Sequence, residues 1–466
     1  MKKNYSIALA SVLALSTLLA ACGNKNNNDS SPAESSGSAP ATSESASPSA
    51  EPSKEVKPFT VSLRHIQIGE PQKFRKAILD DVVKKTESEI PGLKFELDGV
   101  EDNVNHFTKL PAEMAAGNQP KIFDLFGGNA DALKYAKAGR LLDLTTILDD
   151  LGIRDQFLNV FGQFTLDGKI YGLPIGGSVE GVFYNTELFE QNGLNPPTTY
   201  DDLVKAADTL KAKGITPFAM GSQAAWVPNM LVNTFIGRFT NGFPNGIVTG
   251  DVKWDQPEVV AAYNLYAEWE KNGYFTKGEL GKTYDDMLNE FASGKAAMMF
   301  DGSWRSSAFK EGAVAANMNG KVGFVALPPL PGANGDQTSL NANYSNGYGF
   351  SSDLNDQELA AVKGFIKNLY SDEMQLRGLL EDGVLPSMKL SEDSLAKLTD
   401  PVVKQVLEVM KGAGSTFVHF DSVAQKAVYS ESELQLQKLI GNKASAEQVG
   451  KAMQKIQETE NAKSAK

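Results

Sequence analysis

Four tryptophans, three histidines and one cysteine bound the chemistry open to this 466-residue chain. Trp304 stands in the string Asp301-Gly302-Ser303-Trp304, directly after an apolar run, so one turn carries both an indole and a carboxylate. Asp301 can accept hydrogen bonds from ligand hydroxyls, the strong acceptor role of a carboxylate; it can equally bond its own turn backbone. Trp226 closes the segment Ser222-Gln-Ala-Ala-Trp226, read as a loop between helices. Trp254 and Trp269, in strand-like and helical surroundings, read as packing residues. Asp301 and Glu180 can also be taken as an acid and base pair, although nothing in the sequence fixes their separation. His65, His106 and His419 stand in unrelated segments and form no metal-ligand cluster. There is no Gly-x-x-x-x-Gly-Lys-Ser/Thr phosphate loop. A single cysteine excludes a disulfide framework. No cofactor and no metal are expected.

That cysteine is itself informative. Lys2 and Lys3 precede an apolar run from Ile7 to Leu19, too short for a membrane span and suited to a secretory signal. The run ends Leu19-Ala20-Ala21-Cys22-Gly23, which resembles the lipobox of bacterial lipoproteins. The resemblance implies a signal peptide over 1–21, cleavage before Cys22 and acylation of its thiol. The alternative is an ordinary signal with an incidental cysteine. Residues 22–57 are rich in Ser, Pro, Ala, Asn and Glu and lack aromatics, a composition that cannot offset the entropy of ordering. They read as a tether of roughly 30–35 Å root-mean-square span. The formal net charge of −12 argues against nucleic acid and against electrostatic adhesion to membranes. The expected location is the outer face of the cytoplasmic membrane, held only by lipid.

Some 410 residues follow, more than one ordinary core accommodates, so two lobes are expected. The patterning is α/β. Strands are read at 59–68, 93–97 and 121–126, separated by a helix at 71–89 and followed by one at 129–138. Beyond Asp167 the pattern restarts. Extended segments are read at 170–174 and 181–184, a helix at 199–213 capped by Thr198 or Thr199, and helices at 259–271 and 284–292. Strands at 296–300 and 322–327, an extended segment at 347–351, and helices at 358–370 and 446–458 complete the reading. The β-α-β-α order predicts mainly parallel sheets flanked by helices.

One ordered set of strings carries a family likeness: Gly168-Lys-Ile-Tyr-Gly-Leu-Pro174, Phe183-Tyr-Asn-Thr-Glu-Leu-Phe189, Pro196-Pro-Thr-Thr-Tyr-Asp-Asp-Leu203, Phe291-Ala-Ser-Gly-Lys-Ala-Ala-Met298, Asp301-Gly-Ser-Trp304, Val322-Gly-Phe-Val-Ala-Leu-Pro328 and Asn346-Gly-Tyr-Gly-Phe350. Together they resemble the extracellular solute-binding proteins of ABC importers, the family that includes the maltose-binding protein, over roughly residues 60 to 440. The resemblance implies a two-lobed periplasmic-binding-protein-like fold of type II with crossover hinge strands at 169–174 and 343–350. It places the N-lobe at 58–168 and 345–385 and the C-lobe at 169–344 and 386–462. It implies a monomer without enzyme activity that closes on its ligand and is read by an ABC permease.

A carbohydrate is the expected ligand, because a pyranose has apolar C–H faces and a rim of hydroxyls that suit aromatic plates with carboxylates and amides. Trp304 looks like the family's stacking aromatic, and Trp226 occupies a place where the family often sets another; core packing is the alternative for each. Ser178 and Glu180 follow the first crossover, with an exposed strand position as the alternative for Glu180. His65 ends the first strand, where such folds face the cleft, unless it is a satisfied core histidine. Asn129 follows Gly127-Gly128 at another strand end. Asn346 and Tyr348 lie in the second crossover. A glycoside-processing enzyme and a surface sensory or adhesion protein are the competing readings.

Overall fold

The computed structural model describes residues 57–129 and 131–464. The signal, Cys22 and nearly all of the tether lie outside the described residues. In chain order the first elements are β1 (Phe59–His65), α1 (Lys73–Glu89), β2 (Leu93–Gly99), β3 (Ile122–Phe126) and β4 (Leu173–Pro174). Then come β5 (Ser178–Asn185), α2 (Tyr200–Ala212), β6 (Thr216–Ala219), α3 (Trp226–Phe239), α4 (Pro257–Lys271), α5 (Tyr284–Ala292) and β7 (Ala296–Gly302). The last set is β8 (Val322–Val325), β9 (Leu340–Asn343), β10 (Asn346–Phe350), α6 (Asp356–Leu369), α7 (Asp372–Asp382), β11 (Thr416–Phe417), α8 (Lys426–Ile440) and α9 (Ala446–Ser464).

Two sheets organise these elements. The first runs β2-β1-β3-β10-β4 and the second β11-β9-β5-β7-β6, with β8 beside β5. Both are mixed rather than mainly parallel. β1 lies parallel to β2 and β3, whereas β10 is antiparallel to β3 and β4. In the second sheet β5 is antiparallel to β7, β8 and β9, while β6–β7 and β9–β11 are parallel. The mainly parallel expectation does not extend to the whole first sheet because β10 re-enters it from the other lobe, opposed to β3. The chain leaves the first sheet after β4 and enters the second at β5; it returns between β9 and β10. The passages therefore lie at 175–177 and 344–345; of 169–174, Leu173–Pro174 pairs within the first sheet and Lys169–Ile170 within a separate two-stranded sheet with Thr165–Leu166.

Each sheet has its own core. Ile78, Leu79 and Val82 of α1 and Val362, Phe365 and Ile366 of α6 cover Val61, Leu63 and Phe350. In the second lobe Leu231 and Phe235 of α3 and Trp269 of α4 pack with Phe183, Met298 and Phe300. β7 is buried throughout, which is why it reads as an unbroken apolar run. Local signals set the helix ends. Thr199 forms a capping box with Asp202 at the start of α2, and Gly214 takes φ 76° just beyond it. The Ser445 hydroxyl likewise accepts from the Gln448 backbone N–H before α9. Two tryptophan assignments change. Trp226 is the first residue of α3, not a loop residue. Trp254 sits in a turn and is buried against Phe243 and Phe420. Among the described residues, no helix is long and apolar enough to cross a membrane.

Candidate functional site

A cavity of about 2040 Å³ opens between the lobes, lined from both sheets. Strand alternation explains its C-lobe floor. Ser178 and Glu180 of β5 and Asn341 and Asn343 of β9 face it, while Val179 and Ala342 turn into the core. Helical spacing explains the adjoining wall, where Trp226, Asn229, Met230 and Asn233 of α3 share one face.

Trp304 is held by a chain of hydrogen bonds. Its Nε1 donates to the Tyr284 hydroxyl at 2.8 Å, and that hydroxyl donates to both Asp301 oxygens at 2.8 and 2.9 Å. Asp301 also accepts from the Gly302 N–H and from Arg305 Nε, and the Arg305 guanidinium lies 3.7 Å over the Tyr284 ring. Burial pushes the Tyr284 hydroxyl well above its ordinary pKa, so it stays a donor. Trp226 meets Tyr284 edge-on at 4.6 Å between centroids, extending the aromatic wall. Gly302 is required by close approach, because a Cβ there would fall inside the Trp304 ring.

Asp301 is therefore not a ligand acceptor. It is fully buried, does not line the cavity, and spends its carboxylate on Tyr284 and Arg305. Through the Tyr284 hydroxyl it is linked to the indole. His65 and Tyr348 also lie off the cavity wall. The His65 ring and the Ile68 side chain both lie close to Gly99, and Gln67, two residues on from His65, reaches the cavity instead. Tyr348 sits deeper in β10, edge-on to Phe365 of α6 at 5.3 Å. Trp304, Trp226, Asn129, Ser178, Glu180 and Asn346 do line it.

Glu180 accepts from Asn341 Nδ2 at 2.7 Å. Burial pushes its carboxyl well above the usual carboxylate range, only partly offset by that bond. His419 Nε2 lies 3.6 Å from Glu180, and burial pushes this imidazole below its ordinary value. Across the cleft His106 stacks on Phe126 at 3.5 Å and bonds Asp131 and Asp124 at 2.7 and 3.1 Å. Burial opposes its charge, but the two carboxylates outweigh that and push its pKa up to about 10. Among the described residues no group of three or more His, Cys, Asp or Glu side chains is arranged to hold a metal. The lobes touch at this rim: the Asn129 N–H donates to the Ser422 carbonyl at 3.0 Å, and Lys426 lies 5.4 Å over the Phe107 ring.

Sequence reasoning missed Tyr284, Arg305, Asn229, Asn341 and Asn343. The last three carry a usable signal, since each is an amide set among apolar neighbours of its own element, Met230 and Leu231 beside Asn229 and Leu340 and Ala342 beside the other two. Tyr284 and Arg305 carry none, because a helix start and a turn cation are ordinary surface residues until the fold closes them around Asp301.

Glu279 supports the loop that delivers Trp226. Its carboxylate accepts from the Ser222 hydroxyl and from Tyr266, and its carbonyl accepts from the Ser222 N–H. Burial, then the neighbouring Glu270, push its pKa from 4.5 to about 9. A raised folded-state pKa contributes stability that is complete below about 4.5 and lost as pH rises towards about 9. Glu279→Gln is expected to flatten the fall in melting temperature between pH 5 and 9; melting curves with the same pH slope as the unsubstituted protein would contradict this.

The profile of the bacterial extracellular solute-binding proteins matches residues 70–376. The multiple sugar-binding protein of Streptococcus mutans is 28% identical over 253 residues, covering 52% of this chain and 57% of that protein. This chain thus spans little more than half the length of that relative. The maltodextrin-binding protein of Bacillus subtilis is 25% identical over 432 residues, covering 87% of this chain and 86% of its own. A solved chitin oligosaccharide binding protein superposes with a TM-score of 0.79 at 45% identity, covering 87% of this chain and all of that one. These relatives are binding proteins, and with a two-lobed fold around an aromatic and amide cleft the chain belongs to the bacterial extracellular solute-binding protein family.

Proposed function

We propose that this protein captures a chitin oligosaccharide between its lobes and presents it to the permease of an ABC importer. The carrying observation is that Trp226, Tyr284 and Trp304 line one cleft together with buried amides. Indole faces suit the C–H faces of a pyranose, and amides and carboxyls suit its polar rim. The cavity of about 2040 Å³ exceeds the ~300–1,000 Å³ typical of single small ligands, which suits several sugar units. The 45% identity to a chitin oligosaccharide binding protein supports the choice of sugar. Each lobe supplies part of the site, so ligand favours the closed state by its differential affinity. Function here is capture without bond cleavage.

Titration with the β-1,4 trimer of N-acetylglucosamine is expected to raise the melting temperature, the rise continuing with the logarithm of ligand concentration beyond saturation. No shift with this trimer, alongside a shift with maltotriose, would replace the chitin reading with an α-glucan one. Cys22 is the proposed lipid anchor, with the protein held as a monomer on the outer membrane face. Fatty-acid labelling is expected in the unsubstituted protein and lost in Cys22→Ser; label retained by the variant would refute the anchor.

A further inference from the structure

Two amides on the cleft floor each have one end bonded within the floor and the opposite end left without a partner. Asn341 is 1% exposed and donates Nδ2 to Glu180 Oε2 at 2.7 Å, which leaves its Oδ1 buried without a partner. Asn343 is 7% exposed and accepts at Oδ1 from the Ser345 hydroxyl at 3.0 Å, which leaves its Nδ2 buried without a partner. Both line the cavity. Buried polar atoms are rarely left unpaired in native proteins, and an orphan at a cavity wall points to a ligand group.

The two residues lie two apart on one face of β9, about 6.6 Å along the strand at 3.3 Å per residue. A trans secondary amide presents an N–H and a C=O on opposite sides. With N–H···O distances of about 2.9 Å at each end, the acceptor and donor that it joins stand roughly 7–8 Å apart. A hydroxyl places donor and acceptor on one oxygen and spans at most about 5.5 Å between its two partners. It can therefore satisfy one asparagine but not both, and the other stays desolvated and unpaired.

We infer that Asn341 and Asn343 form an acceptor–donor pair that reads the amide of an acetamido substituent, so that the cleft selects an N-acetylated sugar unit over its hydroxyl counterpart. The inference rests on the chitin oligosaccharide reading and deepens it by assigning the selectivity to two residues. Glu180 acts through Asn341, by taking its Nδ2 and leaving Oδ1 as the unpaired end.

The test compares two trimers on the same β-1,4 backbone, N-acetylglucosamine trimer and cellotriose, by calorimetric titration. The unsubstituted protein is expected to prefer the acetylated trimer about 10- to 100-fold, the range of one unpaired buried polar group. Asn343→Ala and Asn341→Ala are each expected to cut that ratio about tenfold while cellotriose affinity changes less than about threefold. Trp304→Ala, by contrast, weakens both trimers and leaves the ratio in place. Equal loss for both trimers in the asparagine variants would overturn the inference while leaving the chitin reading standing. So would equal affinity of the unsubstituted protein for the two trimers, a comparison that needs no variant to fold. Binding of neither trimer would remove the chitin reading itself, and the inference with it.

Discussion

Trp304→Ala is expected to weaken oligosaccharide binding about 30- to 1,000-fold while leaving the melting temperature of the free protein within a few degrees. The affinity range is that of a central aromatic anchor, about 2–4 kcal/mol. The small effect on folding follows from position, since the indole is only part-buried and closes a hydrogen-bond chain rather than filling the core. Asp301 and Arg305 stay paired without it. Tyr284→Phe offers a graded comparison. It removes the hydroxyl that accepts from Trp304 Nε1 but keeps the ring that Trp226 and Arg305 meet. Its loss is expected to be smaller, roughly tenfold, consistent with one hydrogen bond holding a ligand group in place. Unchanged affinity in Trp304→Ala would refute the stacking role.

Gly128→Ala is expected to lower affinity at least tenfold by a different route, keeping the protein open. Gly128 has φ 66°, and a Cβ there would lie under 3.0 Å from the Ser422 carbonyl oxygen. Gly128 follows a strand of the first sheet, whereas Ser422 follows a strand of the second and packs beside Phe420 in the other lobe's core. The backbone strain of a left-handed alanine costs about 1–2 kcal/mol in any state, and the Gln163 side-chain oxygen, also under 3.0 Å from such a Cβ, must swing aside. The collision with Ser422 exists only when the lobes meet, so it falls on the closed state and taxes binding through the open–closed equilibrium. Scattering with saturating ligand is expected to show the radius of gyration of the free protein. Ligand-induced contraction with unaltered affinity would show that this rim contact does not gate closure.

The elements were largely legible because their signals are local. The helices at 200–212, 284–292 and 446–464 begin at Thr199, Thr283 and Ser445, whose hydroxyls each accept a backbone N–H three residues on. Glycines at 139 and 214 stop helices by adopting positive φ. Strand direction was not legible. Nothing in Asn346–Phe350 says that it will lie antiparallel to Ile122–Phe126, because that depends on the side from which the chain re-enters the sheet.

The site divides along the same line. Sequence by itself determined that an indole, a carboxylate and small residues share the turn 301–304, and that amides alternate with small apolar residues around 341–343. Those are matters of spacing along one strand or turn. Tertiary structure decided what each group does. Asp301 became a support for Trp304 because Tyr284 and Arg305 arrive from elsewhere to occupy its oxygens. His65 and Tyr348 became interior because neighbouring strands and α6 cover them. Asn341 and Asn343 acquired one unpaired end each only when Glu180 and Ser345 took the others. A side chain's role in recognition depends on which of its hydrogen-bonding atoms remain unpaired, and pairing between distant segments exists only in the folded chain.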